Sequence, residues 1–174
     1  MTEVLEILKY VLPSLIVLAA VYLMLREFVR REERKMLFQM KDTGRKTVLP
    51  MRLQAYERMV LLLERISPEN LVMRISKSGM KASQLKAGLI KSIREEYEHN
   101  LSQQLYISNE AWARVRNAKE GMVNMINAVG ARMDEKSSSA EFTTVLFDKY
   151  LNQKKTSIAN AMDFIKEEMR KEFT

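Results

Sequence analysis

The chain has 174 residues, of which 29 are lysine or arginine and 22 are aspartate or glutamate, so its formal net charge is +7. It contains no cysteine and a single histidine, which excludes disulfides, thiolate nucleophiles, iron–sulfur clusters and metal sites built from several histidines. Only five residues are glycine, which argues against glycine-rich phosphate-binding loops, whereas a hydrophobic fraction of 47% is ample for a packed core.

The first predicted element is a membrane-spanning helix. Sixteen consecutive residues without a charge run from Tyr10 to Leu25, with the sequence YVLPSLIVLAAVYLML. Extending this run back to Val4 gives 22 residues. At about 1.5 Å per residue they span about 33 Å, which is enough for a bilayer core of about 30 Å. We therefore expect residues 4–25 to anchor the chain in a bilayer.

Two other interpretations of this segment stay open. A cleaved signal peptide needs a basic start and a small-residue cleavage site, but Glu3 and Glu6 precede the apolar run and no base lies among the first eight residues. The second alternative is a buried core helix of a soluble protein, for which sixteen uncharged residues are long. The spanning helix is the favoured interpretation.

Basic residues predict the orientation of this helix. Only Lys9 precedes the uncharged run, whereas eight bases follow it within about twenty residues. These bases are Arg26, Arg30, Arg31, Arg34, Lys35, Lys41, Arg45 and Lys46. Because positive flanks face the cytoplasm, we expect the N-terminus outside and residues 26–174 in the cytoplasm.

Residues 26–50 are expected to form a basic juxtamembrane helix and a linker. The segment 26–42 contains no helix breaker, and Asp42-Thr43-Gly44 then predicts a stop, with Gly44 as the C-terminal cap. Pro50 is expected to open the next helix, over residues 51–66. Its apolar face consists of Leu53, Tyr56, Val60, Leu63 and Ile66, widened by Met59, Leu61 and Leu62.

Start and stop signals divide the next part into a short and a long helix. Ser67-Pro68-Glu69 predicts the start of a short helix that ends near residue 76, before Ser78-Gly79. From about residue 80 an apolar side chain recurs every fourth residue, so the stripe drifts around the helix and requires more than one partner helix. The stripe consists of Leu85, Leu89, Ile93, Tyr97, Leu101 and Leu105.

Further helices are expected toward the C-terminus. Ser108 predicts the cap of a helix whose apolar stripe is interrupted by Lys119, and Ser138 with Glu141 predicts a capping box for the next. The segment 154–156 is either a break or part of a continuous helix. The three apolar stripes are Trp112, Val115, Met122, Ile126, Val129 and Met133; Phe142, Val145, Leu146 and Tyr150; and Ile158, Met162, Ile165 and Met169.

These patterns predict an all-α protein. No segment shows the alternation of a strand, and no internal repeat is present. We expect an N-terminal transmembrane helix followed by a cytosolic multi-helix bundle. The expected divisions are a transmembrane anchor at 1–25, a basic juxtamembrane helix and linker at 26–50, and the cytosolic bundle at 51–174.

A run of bases without any acid is the main candidate for partner binding. Between residues 74 and 94 six bases occur and no acid. They are Arg74, Lys77, Lys81, Lys86, Lys91 and Arg94. Such a face could dock an acidic protein, anionic lipid or RNA, and the alternative is an ordinary solvated helix face. Nucleic acid is disfavoured, because no aromatic residues suited to base stacking alternate with the bases.

Other residues give weaker signals. Trp112 is either a core anchor or a hot spot of the partner surface. His99 shares a helix face with Glu95, but a stable metal site needs three or four ligands, so a solvated face is favoured. Glu167 and Glu168 resemble ordinary helix-surface charge. No catalytic set or nucleotide-binding loop is found, so we expect neither an enzyme nor a cofactor or metal.

Two stretches resemble a known family. They are VLPMRLQAYERMVLLLERISPENLVMRI at Val48–Ile75 and YEHNLSQQLYISNEAWARVRNAKE at Tyr97–Glu120. Both are similar to a family of short bacterial proteins, seen in Bacteroidota, that is a domain of unknown function. The resemblance implies one N-terminal membrane segment, a helical cytoplasmic region and a place in the bacterial inner membrane. It implies no activity and no site residues.

The function predicted from these features is that of a membrane-anchored structural or interaction protein. It would be an accessory subunit or tether of an inner-membrane protein complex, held in the bilayer through residues 4–25. One alternative is a peripheral binding module for anionic lipid or nucleic acid that uses the basic surface. The other is a homo-oligomeric membrane scaffold.

Overall fold

The computed structural model describes the backbone of residues 2–171, and the side chains of residues 2–14, 34, 37–45 and 47 lie outside the description. The helices are α1 (Thr2–Arg65), α2 (Pro68–Ile75), α3 (Ala82–His99), a 3-10 helix (Leu101–Leu105), α4 (Asn109–Gly130), α5 (Ser139–Leu151) and α6 (Ser157–Lys171). Within residues 2–171 no strand is present, and one isolated bridge joins Lys81 to Ser138. The predicted all-α class is confirmed.

The chain divides into two compact units, Met1–Leu49 and Pro50–Thr174. In the first unit, every side chain described between residues 15 and 36 is exposed. Among the residues whose side chains are described, no helix has an apolar stretch long enough to cross a membrane. The side chains of residues 4–14, which belong to the predicted span, are not among those described. The N-terminal transmembrane helix is therefore a prediction that the structure does not support.

The predicted break between residues 42 and 50 is wrong. Helix α1 continues through Gly44 and Pro50, so Gly44 is not a C-terminal cap and Pro50 is not a first helical residue. A glycine inside a helix costs about 1 kcal/mol relative to alanine, and a proline about 3 kcal/mol. Propagation from the flanking turns outweighs these costs, because continuing an existing helix needs no new nucleation step, even though Pro50 itself donates no backbone hydrogen bond.

The core of the second unit takes apolar side chains from each of its α-helices. Helix α4 packs against α3, α5 and α6, and α3 also packs against α2 and α5, which confirms that the α3 stripe meets more than one helix. The largest fully buried side chains are Tyr56, Met59, Leu62, Leu63, Ile66, Leu71, Leu85, Leu89, Ile93, Met122, Ile126 and Phe142. The last turns of α1 thus contribute to the core.

The apolar stripe of α3 stops earlier than its spacing predicts. Leu101 and Leu105 are exposed, Leu105 by 79%, because α3 ends at His99 and the chain continues as a 3-10 helix. With three residues per turn, a four-residue spacing no longer stays on one face. The buried Asn100 ends α3, since its Nδ2 donates to the carbonyl oxygen of Glu96 at 2.8 Å.

The predicted starts of α2, α4 and α5 are confirmed. Ser108 Oγ accepts a hydrogen bond from the Ala111 amide at 3.0 Å, and Ser138 Oγ accepts one from the Glu141 amide at 3.2 Å. Pro68 is the first residue of α2, after Ser67 in extended conformation. The segment 154–156 is a break, and α6 begins just after it. The starts of α2, α4 and α5 follow from a capping residue or proline next to the helix, whereas the sequence left the break before α6 open.

Gly88, Gly121 and Gly130 lie where another element comes close, and Gly88 and Gly130 form a matched pair for substitution. A Cβ atom at Gly88 would lie 2.7 Å from Cγ2 of Ile75, at the packing contact between α2 and α3. At Gly130, near the end of α4, a Cβ atom would lie 2.5 Å from Cδ of Lys86. The first neighbour is a branched side chain packed against the core, and the second is the flexible stem of a lysine.

We expect Gly88→Ala to lower the free energy of unfolding by about 1–3 kcal/mol, because the methyl group forces α2 away from α3. Gly130→Ala is the matched control. There the lysine stem can move aside, so helix propensity should leave stability unchanged or raise it by up to about 1 kcal/mol. Urea unfolding of the full chain, followed by circular dichroism, measures both. Equal effects of the two substitutions would contradict the close contact at Gly88.

Candidate interaction surface

The six bases of residues 74–94 lie in three separate places on the second unit. Lys77 and Lys81 line a recess between two helix starts. Lys86, Lys91 and Arg94 line a groove along the outer face of α3. Arg74 is hydrogen-bonded to the end of α1. The structure therefore separates residues that the sequence presents as one basic run.

The recess, here called the lysine recess, has a volume of about 510 Å³. Lys77, Lys81 and Lys136 line it together with Ser76, Ser78, Ser137, Ser138 and Ser139. Gly79 has a φ of +76°, a backbone conformation that glycine adopts without a steric cost, and so it lets the chain turn into α3. Lys136 joins this surface although it lies outside the basic run.

Backbone hydrogen bonds hold the two sides of the lysine recess together. The Ala82 amide donates to the Ser137 carbonyl at 3.0 Å, and the Ser139 amide donates to the Met80 carbonyl at 3.0 Å. Ala82 and Ser139 are the first residues of α3 and α5. Two amides that a helix start leaves unpaired are thus satisfied by the neighbouring segment.

The groove along α3, here called the α3 groove, has a volume of about 440 Å³. Ala87 and Ile90 form its apolar floor, and Lys86, Lys91 and Arg94 lie around them. Spacings of three and four residues place all five on one helix face. The fully buried side chains of Leu85, Leu89 and Ile93 belong to the other face.

The three cations of the α3 groove differ in their surroundings. The stem of Lys86 crosses Gly130 near the C-terminus of α4, and its ammonium would lie 3.2 Å from a Cβ atom there. A helix C-terminus favours a cation. Lys91 Nζ lies 3.7 Å from Glu95 Oε1, and both side chains are exposed. Arg94 is exposed, and none of the described acids lies within ion-pair distance of it.

Arg74 has a structural position. Its Nη2 donates to the Arg65 carbonyl oxygen at 3.1 Å and to Ser92 Oγ at 3.2 Å, so it joins α1, α2 and α3. Arg65 in turn forms an ion pair with Glu96, at 3.3 Å. His99 lies beside this cluster and is exposed. In the described part of the chain, no three histidine, aspartate or glutamate residues form a group that could hold a metal ion.

Trp112 packs on an aromatic neighbour. Its ring lies 5.1 Å from that of Tyr97, at an interplanar angle of 25°, and Lys119 Nζ lies 4.6 Å from the Tyr97 centroid. Burial raises the pKa of Tyr97 above its ordinary value. Trp112 itself is half-buried against the core and lines neither the lysine recess nor the α3 groove.

A polar network centred on Glu168 was missed by the sequence analysis. Its Oε1 accepts hydrogen bonds from the Tyr56 hydroxyl at 2.6 Å and from the Ser108 amide at 3.2 Å. Its Oε2 accepts one from Ser108 Oγ at 2.5 Å. The interpretation of Glu168 as ordinary surface charge is therefore wrong. One signal could have identified it, because Glu168 continues the buried stripe of Ile158, Ala161 and Ile165.

Arg52 extends this network, and the network shifts the pKa of Tyr56. Arg52 Nη2 donates to the Tyr56 hydroxyl at 3.1 Å, and its Nε donates to the Tyr106 carbonyl at 3.1 Å. The pKa of Tyr56 is raised to about 12, chiefly by burial and then by the hydrogen bond and negative charge of Glu168, while Arg52 opposes the rise. A phenolate beside the Glu168 carboxylate is disfavoured, so Tyr56 stays protonated in the folded state.

We expect the folded state to lose stability between about pH 10 and pH 12, and Tyr56→Phe to reduce that loss. In this window the unfolded chain has released the Tyr56 proton and the folded chain retains it. The folded state then binds more protons, so the free energy of unfolding falls as pH rises. Near pH 9 the same substitution should cost about 1–2 kcal/mol, because a hydrogen bond to a carboxylate is lost.

Urea unfolding of the wild type and of Tyr56→Phe, at about pH 9 and about pH 11, measures this difference. Tyr106→Phe, at an exposed tyrosine, is the control and should follow the wild type. An alkaline loss of equal size in the wild type and in Tyr56→Phe would contradict the proposed role of the Tyr56 hydroxyl.

Comparison with known proteins assigns the chain to a family. The model of the family of unknown function DUF7935 matches residues 2–172, which is nearly the whole chain. No curated protein and no solved structure matches. The protein therefore belongs to the DUF7935 family of unknown function.

Proposed function

We propose that this protein is a membrane-anchored interaction protein of the bacterial inner membrane. Residues 4–25 cross the bilayer, and residues 51–174 form a cytoplasmic helical bundle. The protein acts as an accessory subunit or tether of a membrane protein complex. The observation that carries the proposal is an uncovered apolar surface on α1, directly followed by basic residues.

From residue 15 to residue 25, where the side chains are described, the apolar surface is uncovered on all sides of the helix. The large apolar side chains described from Leu15 to Leu25 are between 50% and 78% exposed. Apolar area in water costs about 25 cal/mol per Å², so a helix that is apolar all round needs an apolar environment. A bilayer provides this environment, and a helix satisfies its own backbone hydrogen bonds there. The sequence from Val4 to Leu25 supplies the required length.

The charges that follow support attachment on one side. Arg26, Arg30 and Arg31 are exposed, and Arg31 Nε lies 3.2 Å from Glu27 Oε1 one turn away. Lysine and arginine near an anionic membrane surface contribute about 1 kcal/mol each. Such bases mark the cytoplasmic side of a membrane helix, which supports a cytoplasmic position for the second unit.

The proposed mechanism is confinement. A bundle tethered to a membrane meets complexes in the same membrane at an increased effective concentration, without any additional contact. Modest interaction surfaces on the bundle are then sufficient for stable association. This mechanism requires a folded bundle, a durable anchor and at least one surface that fits a partner.

We expect the full chain to sediment with membranes and to remain there after a carbonate wash. Replacing Val17 and Val21 by arginine, one helical turn apart, should release the protein, because each charge at the bilayer centre costs about 2.5–3.5 kcal/mol. The control replaces Met73 and Leu151, two exposed apolar residues of the second unit, by arginine. It should stay with the membranes. Recovery of the wild type in the soluble fraction would contradict the anchor.

The orientation has a separate test that uses the lack of cysteine in the chain. In spheroplasts, a membrane-impermeant maleimide should label Thr2→Cys but should label Lys154→Cys only after the membrane is permeabilised. The wild type, which has no thiol, is the control for unspecific labelling. Labelling of Lys154→Cys in intact spheroplasts would place the bundle outside and contradict a cytoplasmic partner.

A further inference from the structure

We infer that the α3 groove is the docking site for an acidic amphipathic helix of a partner protein. The inference rests on the proposed function as an interaction protein and adds the chemistry of the partner. It depends on three observations: the ridge pattern of the α3 surface, its charge, and the position of the Lys86 side chain.

The surface of α3 has the relief that receives a helix. Ser83, Ala87 and Lys91 form one row at four-residue spacing, and Lys86, Ile90 and Arg94 form the neighbouring row. Ridges of this kind leave a groove into which a ridge of another helix packs. From Ser83 to Arg94 the face extends about 16 Å, or three helical turns. Ser83 and Ala87 are small, so a partner backbone can come close.

The floor of the groove is apolar and only partly covered. Ile90 is half-buried and packs against the core, while Ala87 is exposed. The remaining faces of α3 are occupied by the core or by α2, α4 and α5. An amphipathic helix would place its apolar ridge over Ala87 and Ile90, which is the common geometry of helix recognition in a groove.

The charge around the floor selects an acidic partner. Lys86, Lys91 and Arg94 line the groove, and Glu95 is the one acid among its described residues. Glu95 forms only a long, exposed ion pair with Lys91, at 3.7 Å, which an incoming carboxylate can replace. Aspartate or glutamate beside an apolar ridge would therefore complement the groove.

The position of Lys86 adds preorganisation. Its half-buried stem lies across Gly130 of α4, which limits the rotamers open to the ammonium although the stem can still shift. A side chain that is already ordered loses less rotamer entropy when a partner binds. Lys86 thus provides a charge at one end of the groove at a reduced cost in rotamer entropy.

Other occupants fit less well. A second copy of the chain would bring a net charge of +7 toward three cations. An anionic membrane surface would satisfy the charges but would leave the floor at Ala87 and Ile90 against polar headgroups. Single-stranded RNA favours aromatic side chains for base stacking, and none of the described residues that line the groove is aromatic.

The test measures binding of a fluorescein-labelled 18-residue helical peptide to the full chain in phosphatidylcholine nanodiscs, by anisotropy. The peptide carries leucine along one ridge and glutamate on both sides of it. A peptide of the same composition in scrambled order is the first control. We expect binding of the amphipathic peptide with a Kd on the order of micromolar, and at least about tenfold weaker binding of the scrambled one.

Two variants locate the site. Lys86→Glu, Lys91→Glu and Arg94→Glu together should weaken peptide binding at least about tenfold, and Ala87→Phe, which fills the floor without a charge change, should do the same. The matched control is Lys77→Glu, Lys81→Glu and Lys136→Glu in the lysine recess, which has the same change of charge. It should bind within about twofold of the wild type, and circular dichroism melts should show all variants folded.

Several results would overturn the inference. They are no peptide binding, equal binding of the scrambled peptide, equal loss in the recess variant, or an unaffected Ala87→Phe variant. Displacement of the peptide by phosphatidylglycerol vesicles, with the same dependence on the groove variants, would assign the groove to lipid instead. Failure of peptide binding leaves the membrane anchor standing. A soluble wild-type chain contradicts the anchor but leaves the peptide assay informative.

Discussion

The carboxylate of Glu168 is the polar contact on which the arrangement of the second unit depends. It accepts hydrogen bonds from Tyr56 on α1 and from Ser108, the residue that caps α4. Hydrogen bonds to charged groups contribute about 1.5–3 kcal/mol each, and a buried partner left unpaired costs a comparable amount. One side chain near the end of α6 therefore fixes the position of α1 and the start of α4 at the same time. The apolar core lies between the same helices that this carboxylate joins.

This network also shows where sequence information ends. The starts of α2, α4 and α5 were predictable, because a serine or proline at the helix start acts on amides within the next turn. The Tyr56–Glu168 pair joins residues 112 positions apart, and neither residue carries a local signal of the other. The period of α6 placed Glu168 on the buried side. The charge of Glu168 alone predicts a side chain exposed to solvent. Its carboxylate departs from this rule because three donors satisfy its hydrogen bonds within the protein.

The errors at residues 42–50 and 101–105 have different causes. At Gly44 and Pro50, residue preferences of about 1–3 kcal/mol were given more weight than the cooperativity of a long helix. At Leu101 and Leu105 the apolar period was given more weight than the end of the helix, although Asn100 is a residue that can satisfy a terminal carbonyl. A period predicts a face only within one regular element. The ends of a helix depend on the balance of several small free-energy contributions, which is why they are harder to predict than the helix itself.

The acid-free run from residue 74 to residue 94 supplies two surfaces and one structural contact, that of Arg74. The helical period of α3 puts Lys86, Lys91 and Arg94 on one side, while Lys77 and Lys81 belong to the loop before α3. Because Glu95 is the one acid among the described residues that line the α3 groove, its three cations keep a net positive charge. A groove on a single helix is a shallow contact and binds weakly in free solution. Under the proposed anchoring, confinement to the membrane compensates for that weakness, since a tethered partner experiences an effective concentration up to the millimolar range.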